Sequence, residues 1–169
     1  MGREIRRVPA NWQHPKTTNK YSGREELQPM YDQHFDARFA EWLADFDRVR
    51  AGNLDDIEAE CYPRGLADWL QDEGAPPDPA YYRPWKDDDA TWFQVWETVS
   101  AGTPVSPPFA TPGELIDYLS TNGDFWDQKR GHKPAARSSY EAFVKSGWAP
   151  SMVMVGGAVM SGVEASGKL

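Results

Sequence analysis

Glu97-Thr98-Val99-Ser100-Ala101-Gly102-Thr103-Pro104-Val105-Ser106-Pro107-Pro108-Phe109-Ala110-Thr111-Pro112-Gly113-Glu114-Leu115 sets the fold of the C-terminal half. It reads as a strand end, a long proline-punctuated turn and a helix start. At Thr111 the pattern changes: a capping threonine, a proline pre-set for the first turn, and Glu114 placed to reach back to the cap amide. Leu115, Ile116 and Leu119 then form a helical stripe, and Asn122-Gly123 stops it.

Upstream, Thr91-Trp92-Phe93-Gln94-Val95-Trp96-Glu97-Thr98-Val99 is rich in aromatic and β-branched residues and predicts a strand. Trp92 and Trp96 fall on one face, and Phe93, Val95 and Val99 on the other. Such a strand is expected in the middle of a sheet or covered on both sides. Downstream, Ser138 with Glu141 repeats the cap pattern, Tyr140, Phe143 and Val144 point inward, and Gly147 ends the helix. Met152-Val153-Met154-Val155 and Ala158-Val159-Met160-Ser161 flank Gly156-Gly157 and predict a two-residue hairpin. From Gly162 onward the chain reads as a frayed tail.

In the N-terminal half, Phe35, Phe39, Trp42, Phe46 and Val49 recur at helical spacing, with Leu43 widening the stripe. A helix is expected from Asp32, as its cap, to Arg50, with Gly52 as the stop. A shorter helix is expected from Pro63 or Arg64 to Glu73, with Leu66, Trp69 and Leu70 inward. Residues 54–62 supply at most another helical turn or two. The fold class is therefore α+β: an N-terminal helical region plus a C-terminal small antiparallel sheet made of a strand, two helices and a hairpin. The expected division is an extended arm over 1–30, a helical region over 31–75, a proline-rich linker over 76–90, an α+β subdomain over 91–163, and a tail over 164–169.

Eight Trp, seven Tyr and seven Phe supply most of the burial in a chain of 169 residues. Trp and Tyr also need partners for their polar tips, so the core is expected to be partly polar. No apolar run reaches the roughly 18 residues of a membrane span, and the basic first residues have no apolar stretch behind them. The lone Cys61 makes no internal disulfide and leaves no Cys-based metal site. These features point to a cytoplasmic protein. Charge is uneven: residues 1–23 carry +4, residues 24–89 carry −11 and residues 90–169 carry −1, for a net −8. The acidic middle opposes nucleic acid as a partner and suits a basic protein surface, or imitation of a phosphate backbone. A solvated acidic face is the plainer reading of the same charges.

Gly2-Arg3-Glu4-Ile5-Arg6-Arg7-Val8-Pro9 with Trp12 and His14-Pro15 resembles the start of a family of small proteins encoded by tailed bacteriophages and prophages. The Trp96–Leu115 stretch and Ala142-Phe143-Val144-Lys145-Ser146-Gly147-Trp148-Ala149-Pro150-Ser151-Met152 resemble that family too. The likeness covers both ends well and residues 20–80 poorly. It implies a phage or prophage accessory protein and implies no catalytic residue.

The residues themselves offer little chemistry. No nucleophile elbow or phosphate loop is present. His14, His34 and His132, with Asp32, Asp36 or the Asp87–Asp89 run, lack the compact grouping of a dedicated metal site. No catalytic residue, cofactor or metal ligand is therefore assigned. Recognition remains, and its anchors are Tyr, Trp and Arg. The candidate interface residues are Arg3, Arg6 and Arg7, then Tyr81, Tyr82, Arg83 and Trp85, then Phe125 and Trp126. The expected function is non-catalytic binding and modulation of a host macromolecule by protein–protein contact, as a host-defence inhibitor or acidic mimic. A minor virion or assembly protein, with the basic arm laced onto a neighbour, is the first alternative. A cryptic metal-dependent hydrolase is the second.

Overall fold

A computed structural model describes residues 2–98 and 101–168. The expected strand positions Val99 and Ser100 lie outside those residues, as do Met1 and Leu169. The chain divides into two compact units. A sheet unit takes the residues up to Asp32 and from Trp85 onward, and a helical unit takes Gln33–Pro84. Helices and antiparallel sheets make the fold α+β. No helix among the described residues is long and apolar enough to cross a membrane.

Four strands form the main sheet of the sheet unit: β1 (Gly2–Val8), β6 (Trp92–Thr98), β7 (Thr103–Pro104) and β8 (Trp148–Pro150), in the order β7-β6-β1-β8. Between β1 and β6 along the chain lie β2 (Lys16–Thr18), β3 (Glu25–Leu27), β4 (Tyr31–His34) and β5 (Tyr82–Arg83). β2 and β3 pair as a separate ribbon, and β4 crosses from one unit into the other. The start of the expected arm is thus an interior strand. β1 runs antiparallel to β6, from Gly2 opposite Thr98 to Val8 opposite Trp92, and its other edge pairs with β8. The arm has few apolar anchors because the ladder on both sides of it does the anchoring. Gly2 is required there: a Cβ would stand 2.6 Å from the Ala149 carbonyl oxygen.

The proline-rich stretch is more than a turn. It folds back along β6, where Val105 N–H donates to the Val95 carbonyl at 2.8 Å, and Phe93 and Phe109 exchange bonds at 2.8 and 2.9 Å. Ser106 Oγ accepts from Val95 N–H at 3.0 Å. Prolines are tolerated because this is the sheet edge, where a missing donor costs nothing.

Both faces of β6 are covered, as its sequence predicts. On one face, Val95 packs with Val105 and Ala149, with Leu115 and Leu119 of α4 (Pro112–Asn122), and with Tyr140 and Phe143 of α6 (Arg137–Ser146). On the other, Trp96 packs with Val8, Met30, Trp85 and Ala90. Trp85 and Ala90 fall inside the expected linker, yet both belong to this core. The unit boundary therefore lies between Pro84 and Trp85.

The Thr111 cap forms as read: Thr111 Oγ1 accepts from Glu114 N–H at 3.2 Å, and Glu114 Oε2 accepts from Thr111 N–H at 3.1 Å. The Ser138 cap does not form. α6 starts at Arg137, after Ala136, with no side-chain cap, and Arg137 Nε takes Glu141 at 3.0 Å. Between α4 and α6 lies α5 (Phe125–Arg130), capped by Asp124. β9 (Met152–Val155) and β10 (Ala158–Ser161) form the expected hairpin, with Gly156 and Gly157 at φ of 58° and 82°. The expected tail is a helix, α7 (Gly162–Ser166). Ser161 Oγ caps it by accepting from Glu164 N–H at 3.1 Å, and Ala165 is buried.

The helical unit holds α1 (Phe35–Arg50), α2 (Asp56–Cys61) and α3 (Leu66–Asp72). α1 is capped by His34 and not by Asp32: His34 Nδ1 accepts from Asp36 N–H at 3.2 Å. Trp42, Val49 and Trp69 are its buried centre, with Phe46, Leu54, Tyr62 and Leu66 against them. Phe39, Leu43 and Leu70, expected inside, are exposed at 37%, 43% and 38%. Arg48 ties α1 to α2 by a two-pronged bond to Glu58 at 2.6 and 2.8 Å, which holds the Glu58 carboxyl below its ordinary range.

Candidate interaction site

The three N-terminal arginines do not form one surface cluster, because a strand sends successive side chains to opposite faces. Arg6 is buried at 6% exposure. Its guanidinium lies 4.4 Å from the Trp96 ring centroid, donates to the Met30 carbonyl at 2.8 Å and reaches Glu4 at 2.5 Å. It is part of the core and not part of an interface. Arg3 bonds Asp124 at 2.6 Å. Arg7 is exposed, sits 3.9 Å from the Phe93 ring centroid and donates to the Ala90 carbonyl at 3.2 Å. The period of two was the signal for this split. Once residues 2–8 are a strand, Arg6 must face away from Arg3 and Arg7.

The Tyr81–Trp85 cluster is divided as well. Tyr81 is exposed, and Tyr82 and Arg83 are half-buried, all in the helical unit. Trp85 is 5% exposed in the sheet unit, with the Trp12 ring 4.5 Å away. It too leaves the interface set. Phe125 and Trp126 stay at the surface of α5, edge to face at 5.2 Å, with Phe125 half exposed.

Trp126 borders a cleft of about 1030 Å³ in the sheet unit. Sequence reading missed this cleft, since its walls come from both ends of the unit. Its polar floor is set by β1, β6 and α5. Trp126 Nε1 donates to Glu97 Oε2 at 2.8 Å, Arg3 holds Asp124, and Asp124 N–H donates to Asp127 Oδ2 at 3.2 Å. Burial, and then the neighbouring Asp124 charge, push the Asp127 carboxyl above its ordinary value. Burial likewise pushes the Tyr140 hydroxyl up to about 12. The β9–β10 hairpin also borders the cleft, through Met152, Val159, Met160 and Ser161.

That hairpin has two unlike faces. Met154 is opposite Val159 and Met152 is opposite Ser161, so these four share a face. Met152, Met154 and Val159 on it are 70%, 73% and 62% exposed. Residues 148–163 contain no charged side chain at all.

His34 Nδ1 lies 3.9 Å from Asp36 Oδ2 at the start of α1, and His132 lines the cleft. His14 is in the tryptophan core, accepts from Trp12 Nε1 at 3.4 Å and lies 2.7 Å from the Gln28 carbonyl. Among the described residues, no three His, Cys, Asp or Glu side chains gather where they would hold a metal ion. Cys61 is exposed at the end of α2. The arrangement offers surfaces for contact, one of them apolar and free of charge. Comparison with family models, curated proteins and solved structures gives no match.

Proposed function

We propose that the protein is a non-catalytic accessory protein of a bacteriophage or prophage that acts by binding another protein of the host or the phage. The observation that carries this reading is the face of the β9–β10 hairpin on which Met152, Met154 and Val159 are more than half exposed. Edge strands in proteins that act alone are usually protected by charge, proline or a bulge. This ribbon has none of these over residues 152–161 beyond its glycine turn. Met is also the side chain best able to repack against varied surfaces.

The test is retention of a partner from a bacterial host lysate at low salt, comparing the wild type with a Met152→Asp/Met154→Asp variant. A protein retained by the first and lost from the second supports the reading. Absence of any retained protein counts against it. The minor virion reading is kept as a second proposal on one observation: residues 20–27, covering the β2–β3 turn and β3, are all exposed, with Tyr21 wholly so. Mass spectrometry of purified particles separates the two, since a virion component occurs there at stoichiometric copy number.

A further inference from the structure

A second recess, of about 530 Å³, lies in the sheet unit and shares no lining residue with the cleft beside Trp126. It is shallow and open to solvent. Three segments build it. The start of β6 contributes Trp92, the proline-rich edge segment contributes Pro108 and Phe109, and α4 contributes Tyr118. All four are half-buried. Trp92 packs on the Trp96 cluster, while Phe109 and Tyr118 pack on the Val95 cluster with ring centroids 5.1 Å apart. The Tyr118 hydroxyl also accepts from Gln128 at 3.1 Å. The rings are therefore held in place, each with part of its surface in water. The Trp92 indole N–H makes no hydrogen bond among the described residues.

The charged residues of the lining are Glu114 and Asp117, and no cation lines it. Glu114, Asp117 and Tyr118 fall on one side of α4, at i, i+3 and i+4. Arg137 pairs with Asp117 at 2.5 Å and with Glu141 at 3.0 Å, so one cation serves two carboxylates. Glu114 Oε2 accepts from Thr111 N–H at 3.1 Å, and Glu114 has no ion pair among the described residues. Arg7 is placed over Phe93 and outside the lining.

We infer that this recess binds a proline-rich segment of a partner protein in the polyproline II conformation, with an arginine or lysine flanking the prolines. Such a helix repeats every three residues and has no internal hydrogen bonds, so its carbonyls are open to a partner. Aromatic-lined grooves are the surfaces on which proline rings dock. Trp92, Phe109 and Tyr118 supply the rings, the Trp92 N–H supplies a donor for a main-chain carbonyl, and Glu114 supplies the counter-charge. A shallow recess suits this slender helix better than an α-helix, which is about 10–12 Å across with its side chains. The β9–β10 hairpin contributes nothing to the recess, so the inference does not rest on the reading above.

The experiment is selection of random displayed peptides on the intact protein, followed by affinity measurement with one synthetic peptide from the enriched pool, well below the melting temperature of each variant. Enriched sequences are expected to carry prolines three residues apart with Arg or Lys at one end. Trp92→Phe keeps a ring, removes the N–H, and should weaken binding about tenfold. Glu114→Gln keeps the capping box, since glutamine serves at that position. It should weaken binding about threefold and reduce the loss of affinity with added salt. Met152→Asp/Met154→Asp should bind the peptide as the wild type does. No enrichment of proline, proline flanked by acids, or affinity indifferent to both Trp92→Phe and Glu114→Gln overturns the inference. Peptide binding lost only in Met152→Asp/Met154→Asp assigns the peptide to the hairpin, which overturns the recess and supports the hairpin reading.

Discussion

The sheet unit and the helical unit draw on the same aromatic-rich composition and bury it to different depths. In the first, one strand pair separates two clusters, and Trp96, Leu115 and Phe143 are at or below 1% exposure. In the second, three buried side chains support three helices, and Ile57 is 74% exposed beside the partly open Phe39, Leu43 and Leu70. A ladder offers two faces to cover, whereas short helices around one small centre leave part of each stripe in water. Small units bury a smaller share of their surface in general. Each unit also holds one buried indole N–H without a partner among the described residues, at Trp85 and Trp42.

The contrast breaks most visibly under truncation of a core side chain. Phe143→Ala in the sheet unit should cost about 3–5 kcal/mol, the range for a fully buried ring. Leu70→Ala, at a site 38% exposed, should cost well under that. Urea unfolding of the two variants checks the pair, and equal losses would end the distinction.

Removing a buried charge comes next. Arg6→Met leaves Glu4 without this donor and the Met30 carbonyl with the Gly102 N–H alone and should cost about 1.5–3 kcal/mol, the range for bonds to a charged group. Arg50→Met, in the helical unit at a guanidinium 5.8 Å from Phe46, should change stability by no more than about 0.5 kcal/mol. Thermal melts followed by near-UV circular dichroism read both.

Helix caps give a smaller effect. Thr111→Ala should lose about 1 kcal/mol, while Ser138→Ala should stay within about 0.5 kcal/mol because Ser138 caps nothing. The gentlest probe is pH. Burial, opposed by the bond to the Gln28 carbonyl, lowers the His14 value below its ordinary 6.5. Between that lowered value and 6.5 the unfolded chain binds more protons than the folded one. His14 therefore contributes fully above pH 6.5, and the contribution is lost as pH falls toward the lowered value. Melts from pH 7 to pH 5 should show a fall that His14→Gln abolishes.

Local rules carried far into the structure. The Thr111 cap, the Gly156-Gly157 turn and the two-faced character of β6 follow from neighbouring residues alone, and all three are present. What failed depended on distant partners. Arg6, Arg7 and Val8 give no local sign that Gln94, Phe93 and Trp92 stand opposite them. The Ser138 pattern lost to Arg137, whose reach to Asp117 on α4 and to Glu141 belongs to packing rather than to the cap rule. Trp85 sits in a proline-rich run and is nevertheless core, because its partner Trp12 lies far back in the chain. The surface of the site was half legible for the same reason. Phe125 and Trp126 were visible as residues, but the cleft beside Trp126 is closed by β1, α6 and the C-terminal hairpin together.

The placement of β1 has a consequence for the order in which the chain matures at the ribosome. Gly2 needs Thr98 on one side and Pro150 on the other, so this strand waits for two partners that are made long after it. The helical unit lies wholly within that wait and can consolidate from neighbours close in the chain, whereas the sheet closes across the longest separations and so more slowly. Until then Ile5 and Val8 lack the neighbours that cover them in the finished sheet.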